Sequence, residues 1–465
     1  MTETIAAGAP VLSARRRWAV LAVCALALFL VGLDTTIVIV ALGEIGHGLG
    51  VDADRLAWVV DAYTVTFASL LITAGALADR FGRRRVFRTG LVVFALASLV
   101  CAAAPSLPVL VAARMAQGVG ASMLTPVALA IVVNAMPDPR ERARAIGVWG
   151  AMFGLSLAVG PVTGGLLIAV LDWRAVFWIP VPVVVVALLL VQAVVPESRG
   201  QRVRRLDPLG QLLLVALLWL AVTLLIEGPR CGWTAPVVLG GYGALVVLTV
   251  AFVRVETRRN QPLIEPGLFL VPRFAGAVVG AVVVFVAFSA TLLLTTLSLQ
   301  HAQGWSAASA GAATLPMALA VMVCAPLSGR LVADFGPRRP LLLAGSFLSL
   351  GGALLLCPGA GTSLPLLLTA YLMIGAGVGF ANAPITATAV DRLPADRAGV
   401  AGGTASTARQ LGTAVGVAAA GSLVADVPPD RFVTAAVPGW VLVVACGVIL
   451  LMVAAVAGYR RDPLG

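Results

Sequence analysis

Three ionisable side chains interrupt long apolar runs: Asp34 in "LFLVGLDTTIVIVAL", Asp61 in "WVVDAY" and Arg114 in "LVAARMAQGVGAS". A charge at the centre of a bilayer costs about 2.5–3.5 kcal/mol on insertion scales. Groups that expensive should face one another and a water-filled cavity, and they usually mark an ion or substrate route. The chemistry open to them is proton exchange. Burial and a neighbouring guanidinium act on a carboxyl's proton affinity in opposite directions, so a carboxyl balanced between them can load and release a proton. Asp34, midway along its run, is the candidate carrier. Arg114 does not deprotonate and can only tune it. Asp61, close to one end of its run, fits three roles: a second proton site, a counter-charge for a cationic compound, or a vestibule residue. The competing reading is a buried pair that serves helix packing alone, although such pairs contribute little net stability.

Holding these groups in place requires spanning helices. Of 465 residues, 60% are hydrophobic and 11% charged, with a mean hydropathy of +1.02. A lipid core admits only helices or closed barrels, and these runs are too long for barrel strands. Fourteen spans are expected, near 18–42, 57–77, 86–104, 108–133, 145–170, 175–195, 208–226, 236–254, 274–298, 308–332, 340–357, 364–390, 399–424 and 436–457. The expected class is therefore all-α integral membrane. It comprises a tail at 1–17, a six-helix bundle at 18–200, two inserted helices at 201–255, a second six-helix bundle at 256–457 and a tail at 458–465.

The net charge of +11 does not point to nucleic acid. All 32 basic residues are arginine, and 26 of them fall on one side of the membrane if the spans alternate. Arg55, Arg174, Arg230 and Arg431 fall on the other, and Arg114 and Arg409 lie inside spans. This bias places both termini in the cytoplasm of a plasma-membrane protein. The first run is too long for a signal peptide and lacks a small-residue cleavage site. Six scattered cysteines form no disulfide framework, and two histidines, His47 and His301, form no metal site. "GAGVGFANAP" at 375–384 has no strand before it and reads as close helix packing rather than a nucleotide loop. The expectation is a monomer without cofactor. With no nucleotide-binding domain, an ion gradient drives it, and protons are favoured because no oxygen cluster suggests sodium.

Charge also concentrates in "GALADRFGRRR", 75–85, which carries Gly75, Asp79, Arg80, Gly82, Arg83, Arg84 and Arg85. A weaker copy, "GRLVADFGPRR", occupies 329–339. Both copies fall between the second and third spans of a six-span group, which suggests two repeated halves with a site between them.

These features resemble the major facilitator superfamily, and specifically its 14-span drug:proton antiporter branch. Four motifs carry the resemblance: the loop at 75–85, "LDTTIVIVAL" at 33–42, "LVAARMAQGVGAS" with Arg114, Gln117 and Gly118, and "GLSLAVGPVTGG" at 154–165 with Gly160, Pro161, Gly164 and Gly165. Ile39, Gly43 and Ser156 depart from the usual pattern. The resemblance implies two six-helix bundles plus two extra central helices, export of amphipathic compounds and exchange for protons. It makes Asp79 with its arginines part of a gate, which a helix dipole starting near residue 399 can meet. It ties the glycines and Pro161 of span five to antiport, where a smooth, bent helix suits the contact between rocking halves.

Arg409 and Gln410 in "TARQLG" resemble a late-span motif, with substrate contact or packing as the two readings. Trp58, Tyr63, Gln117, Trp149, Phe153, Phe285, Phe288 and Met317 are candidate pocket residues, against packing or lipid contact. No acid falls within spans nine to eleven, thirteen or fourteen, which argues against a dicationic substrate. The same fold also serves nutrient symporters and uniporters. An enzyme would need a catalytic constellation that the sequence lacks.

Overall fold

Proline and glycine set most of the helix limits. Proline opens α6, α8, α9, α10 and α11, where its missing N–H costs nothing. Asp138 and Asp207 cap the first turns of α6 and α9 by accepting from Glu141 N (2.8 Å) and Gly210 N (2.9 Å). The helices are α1 (Ala14–Leu49), α2 (Ala53–Phe81), α3 (Arg83–Ala102), α4 (Leu107–Ser122), α5 (Thr125–Ala135), α6 (Pro139–Val170), α7 (Ala175–Trp178), α8 (Pro180–Val194), α9 (Pro208–Cys231), α10 (Pro236–Thr257), α11 (Pro272–Leu297), α12 (Ala307–Ala313), α13 (Leu315–Phe335), α14 (Arg338–Leu356), α15 (Leu364–Val390), α16 (Ala395–Val424), α17 (Phe432–Ala435) and α18 (Val437–Ala457). This computed structural model describes residues 13–136, 138–199, 207–259, 262–357, 363–390, 395–424, 427–428 and 431–457.

Three of the expected spans, the fourth, sixth and tenth, are each broken into two helices, and the short α17 precedes the fourteenth. Pro126, Pro180, Pro316 and Pro438 separate α4 from α5, α7 from α8, α12 from α13 and α17 from α18. In each case proline removes a backbone donor and crowds the preceding turn. Among the described residues, twelve helices or helix pairs are long and apolar enough to cross a bilayer. α6 and α16 are also long, at 32 and 30 residues, and occupy the fifth and thirteenth expected positions.

The helices form two groups that pack alike. In the first, α1 packs on α6, α2 on α4, and α3 on α4 and α8. In the second, α11 packs on α16, α13 on α15, and α14 on α15 and α18. The groups meet along α2–α16 and along α6 with α12 and α13. α9 lies against both α2 and α16, and α10 packs on α9 with most of its surface outside the bundle. In the "GAGVGFANAP" stretch, Gly375 and Gly379 approach α13 while Gly377 approaches α14, so these glycines serve close packing.

Candidate functional site

The apolar interior of the first group encloses a polar network. Arg114 and Gln117 stand three residues apart on one face of α4, opposite Asp34 on α1 and Ser98 on α3. Arg114 Nη1 donates to Asp34 Oδ2 at 2.6 Å and to Gln117 Oε1 at 2.7 Å. Gln117 Nε2 donates to Asp34 Oδ1 at 2.8 Å and to Ser98 Oγ at 3.0 Å. Arg114 Nε donates to the Val59 carbonyl at 2.9 Å. The guanidinium lies 4.3 Å from the Tyr63 ring centroid and 5.8 Å from that of Phe177. Asp34 is 1% exposed and Arg114 0%. A buried pair is costly to desolvate unless further hydrogen bonds hold its remaining groups; here both carboxylate oxygens are satisfied, while Arg114 Nη2 is buried with no partner among the described residues.

Asp61 stands apart from that network. The three charges, expected to face one another, form a pair plus one. Asp61 is 0% exposed, and neither carboxylate oxygen has a hydrogen-bond partner among the described residues. The neighbouring Thr64 hydroxyl donates to the Val60 and Asp61 carbonyls. By helical register Asp61 shares a face with Ala57, Ala68 and Ile72. Those residues meet α16 at Gly421, Thr407 and Gly403, so Asp61 sits on the α2 face turned to the second group.

The arginine-rich turn is tightly held. Asp79, expected just past the end of its span, lies within the last turn of α2, because the helix runs on to Phe81 before Gly82 (φ 109°) ends it. Arg83 donates to Asp79 Oδ1 through Nη2 at 2.9 Å and Nε at 3.1 Å, and to the Ala130 carbonyl at 3.3 Å. Sequence reasoning missed Glu197. Its Oε1 accepts from Arg84 N at 3.0 Å, 2.7 Å from where a Cβ on Gly82 would stand. The carboxylate therefore caps α3 at the positive end of its dipole. Arg84 Nη2 donates to the Gln192 carbonyl at 2.8 Å, Arg80 is exposed, and Gly75 has open space around it. The partner expected near residue 399 lies outside the described side chains.

α6 is wedged between the two groups. A Cβ on Gly160 would strike Thr36 Oγ1 of α1, and one on Gly164 would stand 2.7 Å from Ile37 Cγ1. On its other side, Gly165 meets the Ala307 carbonyl, and the Pro161 carbonyl meets Gly311, both on α12. Thr36 is two residues from Asp34, so the carboxylate and the contact between groups share one short piece of α1. The groups also meet at the end away from the arginine-rich turns. There Gln300 Nε2 donates to the Val40 carbonyl at 3.3 Å and the His47 and His301 rings stack at 5.9 Å.

Two like-packed helix groups, the loop signature between α2 and α3, and a glycine–proline helix at the seam point to one family. The sequence pattern of the Major Facilitator Superfamily matches residues 24–417. The chain belongs to the Major Facilitator Superfamily. Multidrug resistance protein Stp of Mycobacterium tuberculosis (strain CDC 1551 / Oshkosh) is 38% identical over 400 residues, 86% of this chain and 74% of its own length. Methylenomycin A resistance protein of Streptomyces coelicolor is 36% identical over 397 residues, 84% of this chain and 82% of its own. Puromycin resistance protein pur8 of Streptomyces alboniger is 35% identical over 460 residues, 96% of this chain and 91% of its own.

In this Major Facilitator chain the pocket candidates with described side chains lie in several different places. Tyr63 and Gln117 belong to the Asp34–Arg114 network. Trp58 faces the inserted helix α9, donating to Glu227 Oε1 at 3.0 Å and stacking on Trp219. Phe285 and Phe288 are buried edge-to-face on α11, and Met317 is buried against Gly375 of α15. The side chains of Trp149 and Phe153 lie outside the described set. Arg409 bonds to Thr386 and Ser406, and Gln410 Oε1 is buried without a partner among the described residues.

Proposed function

We propose that the chain exports amphipathic, largely apolar compounds of drug size in exchange for protons by alternating access. In this reading it crosses the plasma membrane fourteen times, with α6 and α16 as spans five and thirteen and both termini in the cytoplasm. It works as a monomer without cofactor. The observation that carries the reading is the buried Asp34 carboxylate held by Arg114 and Gln117, in a chain whose relatives bear the names of resistance proteins.

The mechanism follows from what a proton on Asp34 would change. The proton removes the charge that Arg114 binds, while Arg114 keeps the Val59 carbonyl and Gln117. α1 is then less firmly pinned to α4. Because α1 also carries Thr36 and Ile37 against α6, and α6 bears on α12, the loosened contact reaches the seam between the halves. A bias of a few kcal/mol is enough to shift two conformations of similar energy. Asp61, buried on the α16-facing side of α2 with no partner among the described residues, serves as a second proton site or as a contact for the cargo. Asp79 and Arg83 hold the cytoplasmic turn that gates the opposite end.

A susceptibility panel in an efflux-deficient bacterium tests this reading. Wild type, Asp34→Asn and empty vector are compared at matched membrane abundance. Wild type should raise tolerance to some apolar compounds, and Asp34→Asn should abolish the gain. Equal tolerance in the variant would remove Asp34 from the proton path. No difference between wild type and vector would favour a nutrient or metabolite carrier on the same fold.

A further inference from the structure

The halves of the bundle treat their mid-helix arginines differently. Arg114 in the first half spends its positive charge on Asp34. Arg409, near the middle of α16 in the second half, has no carboxylate partner among the described residues. Its hydrogen bonds go to hydroxyls: Nη2 donates to Thr386 Oγ1 at 2.6 Å and Nη1 to Ser406 Oγ at 3.4 Å. Thr386 in turn donates to the Asn382 carbonyl at 3.0 Å, which leaves its oxygen free to accept from the guanidinium. Arg409 Nε is buried with no partner among the described residues, as is Oε1 of the adjacent Gln410.

Hydroxyls orient a guanidinium without neutralising it. Holding a full positive charge inside a membrane bundle is costly, and a purely structural arginine would be paired or replaced by a neutral residue. Arg409 is not sealed into the core. It is half-buried, and Thr386, which receives its Nη2, is exposed. Register supports the same placement. Thr407 and Gly403, which face α2, lie on a different side of α16 from Arg409, whereas Gly412 and Gly416, three and seven residues on, share its side and pack onto α11, so Arg409 sits where α16 meets α11 and α15. The bond to Thr386 turns the guanidinium toward α15, and its Nε–H has no partner among the described residues. A guanidinium with donors to spare can hold a planar oxyanion in two parallel hydrogen bonds, which an ammonium cannot imitate.

We propose that Arg409 is the seat for a carboxylate or comparable oxyanion on the exported compound, so that the preferred cargo is an amphipathic acid carried as its anion. This rests on the export reading and narrows its substrate class. It also fixes the electrical sign of the exchange. An anion moving out against a proton moving in carries net positive charge inward, so an inside-negative potential drives it. One-for-one exchange of a monocation for a proton would be electroneutral.

The test uses everted membrane vesicles and acid–amide pairs sharing one apolar body: 1-pyrenebutyrate, 1-naphthylacetate and 4-biphenylacetate against their primary amides, with ethidium as a cationic probe. Wild type should accumulate at least one acid about tenfold faster than its amide, the scale of one charge-assisted hydrogen bond. Arg409→Gln should erase that preference and spare any amide uptake, and Arg409→Lys should keep only part of it. Acid uptake should rise with an imposed potential, positive inside the everted vesicle. Equal uptake of acids and amides by wild type overturns the proposal without needing any variant to fold. An equal loss of every probe in Arg409→Gln assigns the residue to packing instead. Uptake of ethidium but of no acid overturns the proposal and leaves export standing. Uptake of no probe by wild type removes both.

Discussion

Arg114 Nη1 lies 2.6 Å from Asp34 Oδ2, although 80 residues separate the two in the chain. The pair is buried, and Gln117 bonds both partners at once. A proton on Asp34 would remove the charge that Arg114 binds and so weaken this contact between α1 and α4.

Removing one partner of this pair should cost more than removing both. Arg114→Ala leaves Asp34 as an unpaired buried charge and should destabilise the protein by about 3–5 kcal/mol. The double variant Asp34→Asn/Arg114→Gln should recover much of that loss in a thermal unfolding assay in detergent. Proton-coupled transport should remain absent in both. A double variant no more stable than Arg114→Ala would show that the two side chains are not coupled.

The α1–α6 contact predicts a steric phenotype. Gly160→Ala places a methyl against Thr36 and should cost about 1–3 kcal/mol, the range for overpacking. Thr36→Ala removes the hydroxyl in the way and should restore part of the stability. Failure of that rescue would mean that the helices do not meet at these residues.

Glu197 caps α3, so Glu197→Ala should cost about 0.5–2 kcal/mol. Glu197→Gln keeps an acceptor for Arg84 N and should cost less. Unfolding midpoints that place the two variants in the reverse order would contradict a capping role.

The proposed topology places Cys231, exposed at the end of α9, outside the cell. With the other five cysteines replaced, a membrane-impermeant maleimide should label intact cells through Cys231. Labelling only after lysis would invert the orientation or change the span count.

The sequence made parts of this arrangement legible and hid others. Asp34 and Arg114 were identifiable because an intramembrane charge needs a reason, and cost alone predicts a partner. The isolation of Asp61 was not identifiable. Whether a residue on α2 turns to α4 or to α16 depends on how three helices are rotated against one another, which no local pattern records. Glu197 was missed for a related reason: it is a lone acid 113 residues from Arg84, whose backbone it caps. Prolines at 126, 180, 316 and 438 fall inside expected spans, but the helix breaks beside them became definite only in the packed bundle. The glycines of span five were legible as close-approach positions. That Gly160 and Gly164 face α1 while Gly165 faces α12 was not.

The most direct test of the central claim is proton movement. Purified wild type and Asp34→Asn are reconstituted into liposomes with a trapped pH indicator, a proton gradient is imposed, and a compound identified by the susceptibility panel is added. Wild type should dissipate the gradient when the compound is added, and Asp34→Asn should give no response above that of empty liposomes. A compound that crosses in the wild type without moving protons, or that moves them equally well in Asp34→Asn, would contradict the account.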